Sequence, residues 1–163
     1  PILAAGVAAL ALIHRAWDAR ELSRFLLVVS VLQACATWLA MVLLYILFRN
    51  ERFLFSAVGG VDAAIAAAAV ALKQQQLSGR ISSRGTLPLA AAHAPSLALC
   101  WTCALVVLGL ALPAERLLFS MHGMLISWGY LRYYQPQPGG SGDGSAAFAF
   151  AHLFPAPVRP PLL

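Results

Sequence analysis

An all-α membrane protein, a bundle of about five transmembrane helices in this chain, is predicted by three observations. Residues 25–48 hold no charged side chain. The composition is 61% hydrophobic and only 10% charged, where soluble domains average about a quarter charged. Residues 53–72 are so rich in Ala and Gly that a helix there belongs among other helices rather than in lipid. Lipid is therefore taken as the solvent.

The elements follow in order. Residues 1–13 are apolar and end at His14-Arg15. Because they read as the second half of an apolar segment, the chain is expected to be a fragment that lacks an N-terminal portion. Residues 25–48 as a helix would reach ~36 Å, enough to cross a ~30 Å hydrocarbon core with some tilt. Only Ser30, Gln33 and Thr37 interrupt that surface. The third segment, 53–72, is stopped by Lys73 and Gln74-Gln75-Gln76; the fourth, 95–112, is expected to start at Pro95 and close at Pro113. The fifth, 117–134, ends in Arg132-Tyr133-Tyr134, an aromatic and basic interface anchor. A bundle over 1–134 is thus followed by residues 135–163. These open on a Pro/Gly-rich linker expected to be flexible and continue into an apolar tail that Pro155, Pro157, Pro160 and Pro161 keep from spanning.

Charge sets the expected orientation. Arg15, Arg20, Arg24, Lys73, Arg80, Arg84, Arg132 and Arg159 fall on one side of the predicted spans, eight of the eleven Lys and Arg. Cytosolic loops are enriched in these residues, so the tail is placed in the cytosol. The net charge of +5 is read as cytosolic flanks. No basic stretch is interleaved with aromatics, so no nucleic-acid partner is expected.

The third segment carries small residues at spacing four, in the rows Ser56-Gly60-Ala64-Ala68 and Gly59-Ala63-Ala67-Ala71. Small side chains let helices approach closely in lipid, so this helix is expected at the bundle centre. Asp62 lies in it. A carboxylate at bilayer depth faces water or a partner, which leaves two readings: a proton or ion site, or a hydrogen-bonded Asp fastening two helices. The second is preferred, with His122 as its expected partner. Cys100-Trp101-Thr102-Cys103 spells CxxC, but Cys35 alone cannot complete a zinc ligand set. No metal and no cofactor are expected, and the cysteines are expected to be buried as small hydrophobes.

The C-terminal text is the most specific. Ser127-Trp128-Gly129-Tyr130-Leu131-Arg132-Tyr133-Tyr134-Gln135 is followed, after a Gly-rich linker with Asp143, by Phe148-Ala149-Phe150-Ala151-His152-Leu153-Phe154-Pro155. Together with Ala69-Val70-Ala71-Leu72-Lys73-Gln74, these motifs resemble the transmembrane protein 115 family. The resemblance implies a rhomboid-like bundle of six spans in the full protein, with the small-residue helix fourth and central and the first span missing here. It also implies a Golgi membrane protein without protease activity, tied to Golgi-to-endoplasmic-reticulum retrograde traffic and to a Golgi tethering complex. Lipid, other membrane or tethering proteins, and a second copy of the chain are the partners it suggests.

An active rhomboid needs a serine in a GxSG turn at the start of its fourth span and a histidine in its sixth. Laid on that motif, Ser56-Ala57-Val58-Gly59 puts Val58 at the nucleophile, and valine has no proton to lose. Gly139-Gly140-Ser141-Gly142 matches the motif but falls in the linker. His122 stands near the expected histidine, and Ser56 is the one hydroxyl that could shift toward it. Three functions compete: a non-enzymatic Golgi scaffold, an intramembrane serine protease, and a small transporter or channel subunit built on Asp62. They are ranked in that order.

Overall fold

One residue in four along the charge-free run turns inward. The computed structural model describes residues 9–14, 16–55, 62–78, 87–108, 114–137 and 140–154. In it, helix α1 (Ala19–Phe48) buries Phe25, Val29, Gln33, Thr37 and Met41. It leaves Leu27, Val31, Leu32, Trp38, Leu39, Leu43, Ile46, Leu47 and Phe48 exposed. The outward face is thus the more apolar one and two polar groups lie inside, an arrangement suited to lipid. Among the described residues α1 is the helix long and apolar enough to cross a membrane by length and composition. It ends where Arg49 enters the left-handed region (φ 53°) and donates its N–H to Tyr45 O. Residues 51–53 form a 3-10 turn, whose Arg52 N–H is accepted by the Asn50 side chain.

Helix α2 (Asp62–Leu77), α3 (Leu87–Val107) and α4 (Ala114–Tyr133) complete the bundle, and residues 9–14 are also helical. α2 touches α1, α3 and α4, and Ala63 and the run Ala66–Ala71 are buried in it. Methyl-sized side chains let three helices reach it at once. The core gathers Ile13, Trp17, Phe25, Val29, Ala66–Ala68, Val70, Ala71, Met124, Tyr130 and Leu131, closed by Phe148 and Leu153 from the tail.

Four expectations are corrected. The third segment does not start as a helix at 53, where a 3-10 turn stands, and it continues to Leu77 instead of stopping at Lys73. Polar residues end a span when water or lipid is their only neighbour; here Lys73, Gln74 and Gln75 are buried against the chain itself. The fourth helix begins at Leu87, with Pro95 inside it; its packing against α2 and α4 holds it despite the backbone hydrogen bond that proline forgoes. Cys35, Cys100 and Cys103 are exposed, since an apolar thiol needs no burial where the surroundings are apolar.

The linker is the fourth correction. Residues 136–137 and 140–141 pair as a two-stranded antiparallel hairpin, Pro136 opposite Ser141 and Gln137 opposite Gly140. Two 3-10 turns follow, Ala146–Phe148 against α2 and Phe150–Leu153 against α3. Side chains of α4 hold this strap by its backbone, which is why a composition typical of disorder is folded.

Candidate functional site

Among the described residues, two polar assemblies lie within the bundle. The first is a seam between α1, α2 and α4. Thr37 Oγ1 and His122 Nδ1 are 2.9 Å apart, and one turn earlier on α1 the Gln33 side chain is buried with its Oε1 unbonded. Gly123 makes this crossing fit. A Cβ there would meet Ala63 Cβ, Ala63 O and Gln33 Oε1, each at 2.9 Å, so only hydrogen can occupy that point.

A hydroxyl beside an imidazole is the geometry of an activated nucleophile. Thr37, however, is 0% exposed, and a carbonyl carbon cannot approach an oxygen that has no open surface. The contact therefore fastens α1 to α4 and fixes the imidazole. Among the described residues no three of His, Cys, Asp or Glu gather as metal ligands.

The second assembly caps the other end of α4. Gln74 Nε2 donates to Gln135 Oε1 at 2.8 Å, and Gln135 Nε2 donates to Glu21 Oε1 at 2.7 Å. This chain of amides ties α2, the end of α4 and the start of α1 at one level. Lys73 Nζ donates to His152 O. Arg132 Nη1 donates to Asp143 O at 2.8 Å and also to Ser145 O. Trp128 Nε1 donates to Phe148 O at 3.0 Å. The backbone adds Gly142 N–H to Gln135 O at 2.7 Å and Asp143 N–H to Leu131 O at 3.0 Å. Gly142 sits at φ +77°, where a Cβ would lie 2.1 Å from Arg132 O. Three donors, an ammonium, a guanidinium and an indole, are thus spent on main-chain carbonyls of the strap.

The residues singled out from the sequence fall as follows. Trp128, Arg132 and Phe148 meet in the strap assembly; Phe150 stacks edge-on against Trp128 at 5.3 Å and against Phe154 at 5.5 Å. Ser127 is buried and returns its hydroxyl to Met124 O. Tyr130 is buried beside Phe25, ring centroids 5.6 Å apart, and Tyr134 is exposed. Ala63 and Ala67 are buried and Ala64 is half-buried. Ser56, Val58, Gly59, Gly60, Pro155 and the Asp62 side chain lie outside the described residues. The expected Asp62–His122 pairing thus lies outside them too, and the partner seen on His122 is Thr37.

Gln33, Gln74, Gln135, Glu21, Gly123 and Gly142 were not singled out. For Gln33 a signal existed: with Thr37 it falls on the spacing-four row from Phe25 to Met41. Gln74 and Gln135 stood inside motifs whose purpose only the fold discloses.

Comparison with known proteins agrees with the membrane reading. Residues 2–163 match the family model described as eukaryotic integral membrane protein, DUF1751. The chain is 33% identical over 159 residues to mouse transmembrane protein 115, covering 97% of this chain and 45% of that protein. It is 31% identical to the human protein of that name over 150 residues, 91% of this chain and 42% of the other. It is 30% identical over 148 residues to Arabidopsis thaliana rhomboid-like protein 19, covering 88% and 47%. The chain spans less than half the length of these relatives. No solved structure matches it. A buried alanine helix, an apolar outer face and the C-terminal motifs thus agree with the sequence match: the chain belongs to the DUF1751 family of eukaryotic integral membrane proteins, the transmembrane protein 115 family that its motifs resemble.

Proposed function

We propose that this protein is a non-enzymatic, rhomboid-like, multi-pass membrane protein of the Golgi that supports Golgi-to-endoplasmic-reticulum retrograde transport. In this reading it crosses the membrane five times in this chain and six in the full protein, with its C-terminus in the cytosol. The observation that carries the non-enzymatic part is the Thr37–His122 contact. The imidazole a rhomboid-type reaction would need is bonded to a hydroxyl with no exposed surface, and the nucleophile position reads Val58. The Golgi assignment rests on the family.

A transporter is disfavoured by how the hydroxyls are used. Ser96 donates to His93 O and Thr102 to Ala98 O, so polar groups that could line a pathway close onto their own helix. The test has two arms. The tagged protein should co-localise with Golgi markers, its depletion should slow retrieval of a Golgi-to-endoplasmic-reticulum cargo, and His122→Ala should restore retrieval as well as the parent. A fluorophosphonate probe should leave the protein unlabelled; labelling abolished by His122→Ala would overturn the reading.

A further inference from the structure

We propose that the strap, residues 146–154, and the last turns of α4 lie in the headgroup layer of the membrane, the aromatic face of Trp128 and Phe150 against lipid and the Arg20 and Arg24 side chains toward lipid phosphates. The proposal rests on the family's membrane embedding and not on the Golgi reading.

The outer stripe of α4 changes character along its length. Met121 and Leu125, one turn apart, are 41% exposed. One turn on, Trp128 is half-buried; its ring meets edge-on, at 6.0 Å, that of Tyr133, which lies off this stripe at the helix end and is 59% exposed. Aliphatic side chains give way to Trp and Tyr where a helix leaves hydrocarbon for headgroups. Phe150 then extends the aromatic surface sideways from Trp128 onto the strap. Trp128 thus continues the row of exposed Met121 and Leu125, and Phe150 widens it.

The strap is amphipathic in a way that fits. Phe148, Ala151 and Leu153 face the core and are buried, while Phe150 is half-exposed. Its carbonyls at 148 and 152 accept from Trp128 and Lys73, and those at 143 and 145, just before it, accept from Arg132. Carbonyls satisfied by side chains lower the cost of bringing an irregular segment near hydrocarbon. Charge agrees with the level. Glu21 bonds Gln135, which places the start of α1 beside the end of α4, and the flanking Arg20 and Arg24 are exposed. Cations at this depth are attracted by anionic headgroups. A polar, water-facing tail offered to soluble partners would show the reverse face.

The test uses the full chain in phosphatidylcholine–phosphatidylserine vesicles. A nitroxide is placed at Phe150→Cys in a background with Cys35→Ala, Cys100→Ala and Cys103→Ala, with Ser141→Cys as the hairpin control. The ratio of oxygen to nickel-chelate collisions should be several-fold higher at 150 than at 141. Independently, the emission lost on Trp128→Phe should come from a tryptophan quenched by lipid brominated near the headgroup, and this decides the matter if Phe150→Cys does not fold. Nickel collisions at 150 as frequent as at 141 would put the face in water and overturn the proposal. Low collisions with both reagents, with Trp128 unaffected by brominated lipid, would mean that a protein covers it and would equally overturn it.

Discussion

Gly142 and Gly129 make a matched pair, because the same added methyl should act in opposite directions. At Gly142 a Cβ would lie 2.1 Å from a main-chain oxygen at a positive φ. Gly142→Ala should therefore lower stability in detergent by ~1–3 kcal/mol, as holding a non-glycine residue in the left-handed region while displacing backbone costs about that much. Gly129 lies within α4 and has nothing within 4 Å of its would-be Cβ. Gly129→Ala should raise stability by ~0.5–1 kcal/mol, by restricting the unfolded chain. Thermal unfolding of the two variants beside the parent checks both signs. At the seam, a double-mutant cycle of Thr37→Val and His122→Ala should give a coupling of ~0.6 kcal/mol, the average for hydrogen bonds between membrane helices. Additive effects would mean that the 2.9 Å contact contributes nothing to stability.

The run of apolar residues made α1 legible from the text, and the small-residue rows made α2 central, since both depend only on side-chain size and charge. The ends were less legible. Lys73 and the glutamines after it read as a stop signal, whereas Gln74 continues the helix inside a polar chain to Gln135 and Glu21. A partner 61 positions away leaves no mark in local composition. Pro95 read as a helix start for the same reason: proline favours first turns, and only neighbouring elements make it tolerable inside one. Gln135→Leu tests the relay. It removes the acceptor for Gln74 Nε2 and the donor to Glu21, so stability should fall by ~1–3 kcal/mol. Gln135→Glu, which keeps an acceptor for Gln74, should cost less on that side while placing a second carboxylate beside Glu21. Urea or thermal titration in detergent separates the two.

At the scale of the whole molecule, the end of the bundle holding Arg20, Arg24, Lys73 and Arg132 is one surface, since Glu21, Gln74, Gln135 and the strap meet there. Arg49 and Arg52 lie beyond the far end of α1. Of the charges counted from the sequence, these fall at two ends of the bundle, while Arg15, Arg80, Arg84 and Arg159 lie outside the described residues. If the first end is cytosolic, as proposed, a C-terminal tag in sealed vesicles should be digested by added protease; protection would reverse the orientation. Deleting residues 146–154 should destabilise the bundle itself, because Phe148 and Leu153 are each 1% exposed, and full burial of such a side chain contributes ~1.5–3 kcal/mol. A deletion variant as heat-resistant as the parent would show the strap to be dispensable. This part of the fold was hidden in the text by its Gly and Pro content, which signals looseness unless Arg132, Trp128 and Lys73 are known to grip it.

The strap also fixes an order of events during synthesis. Phe148 and Leu153 fill the core from a segment that follows α4 in the chain, so the ribosome releases them after the helices they cover. Until then the cluster that includes Phe25, Val70 and Leu131 lacks the two side chains that complete it. A chain stalled or cut before residue 146 presents an unfilled apolar hollow to the cell's quality-control machinery, and a completed one closes it. Chains truncated before residue 146 should therefore be degraded faster in cells than chains that carry Phe148 and Leu153.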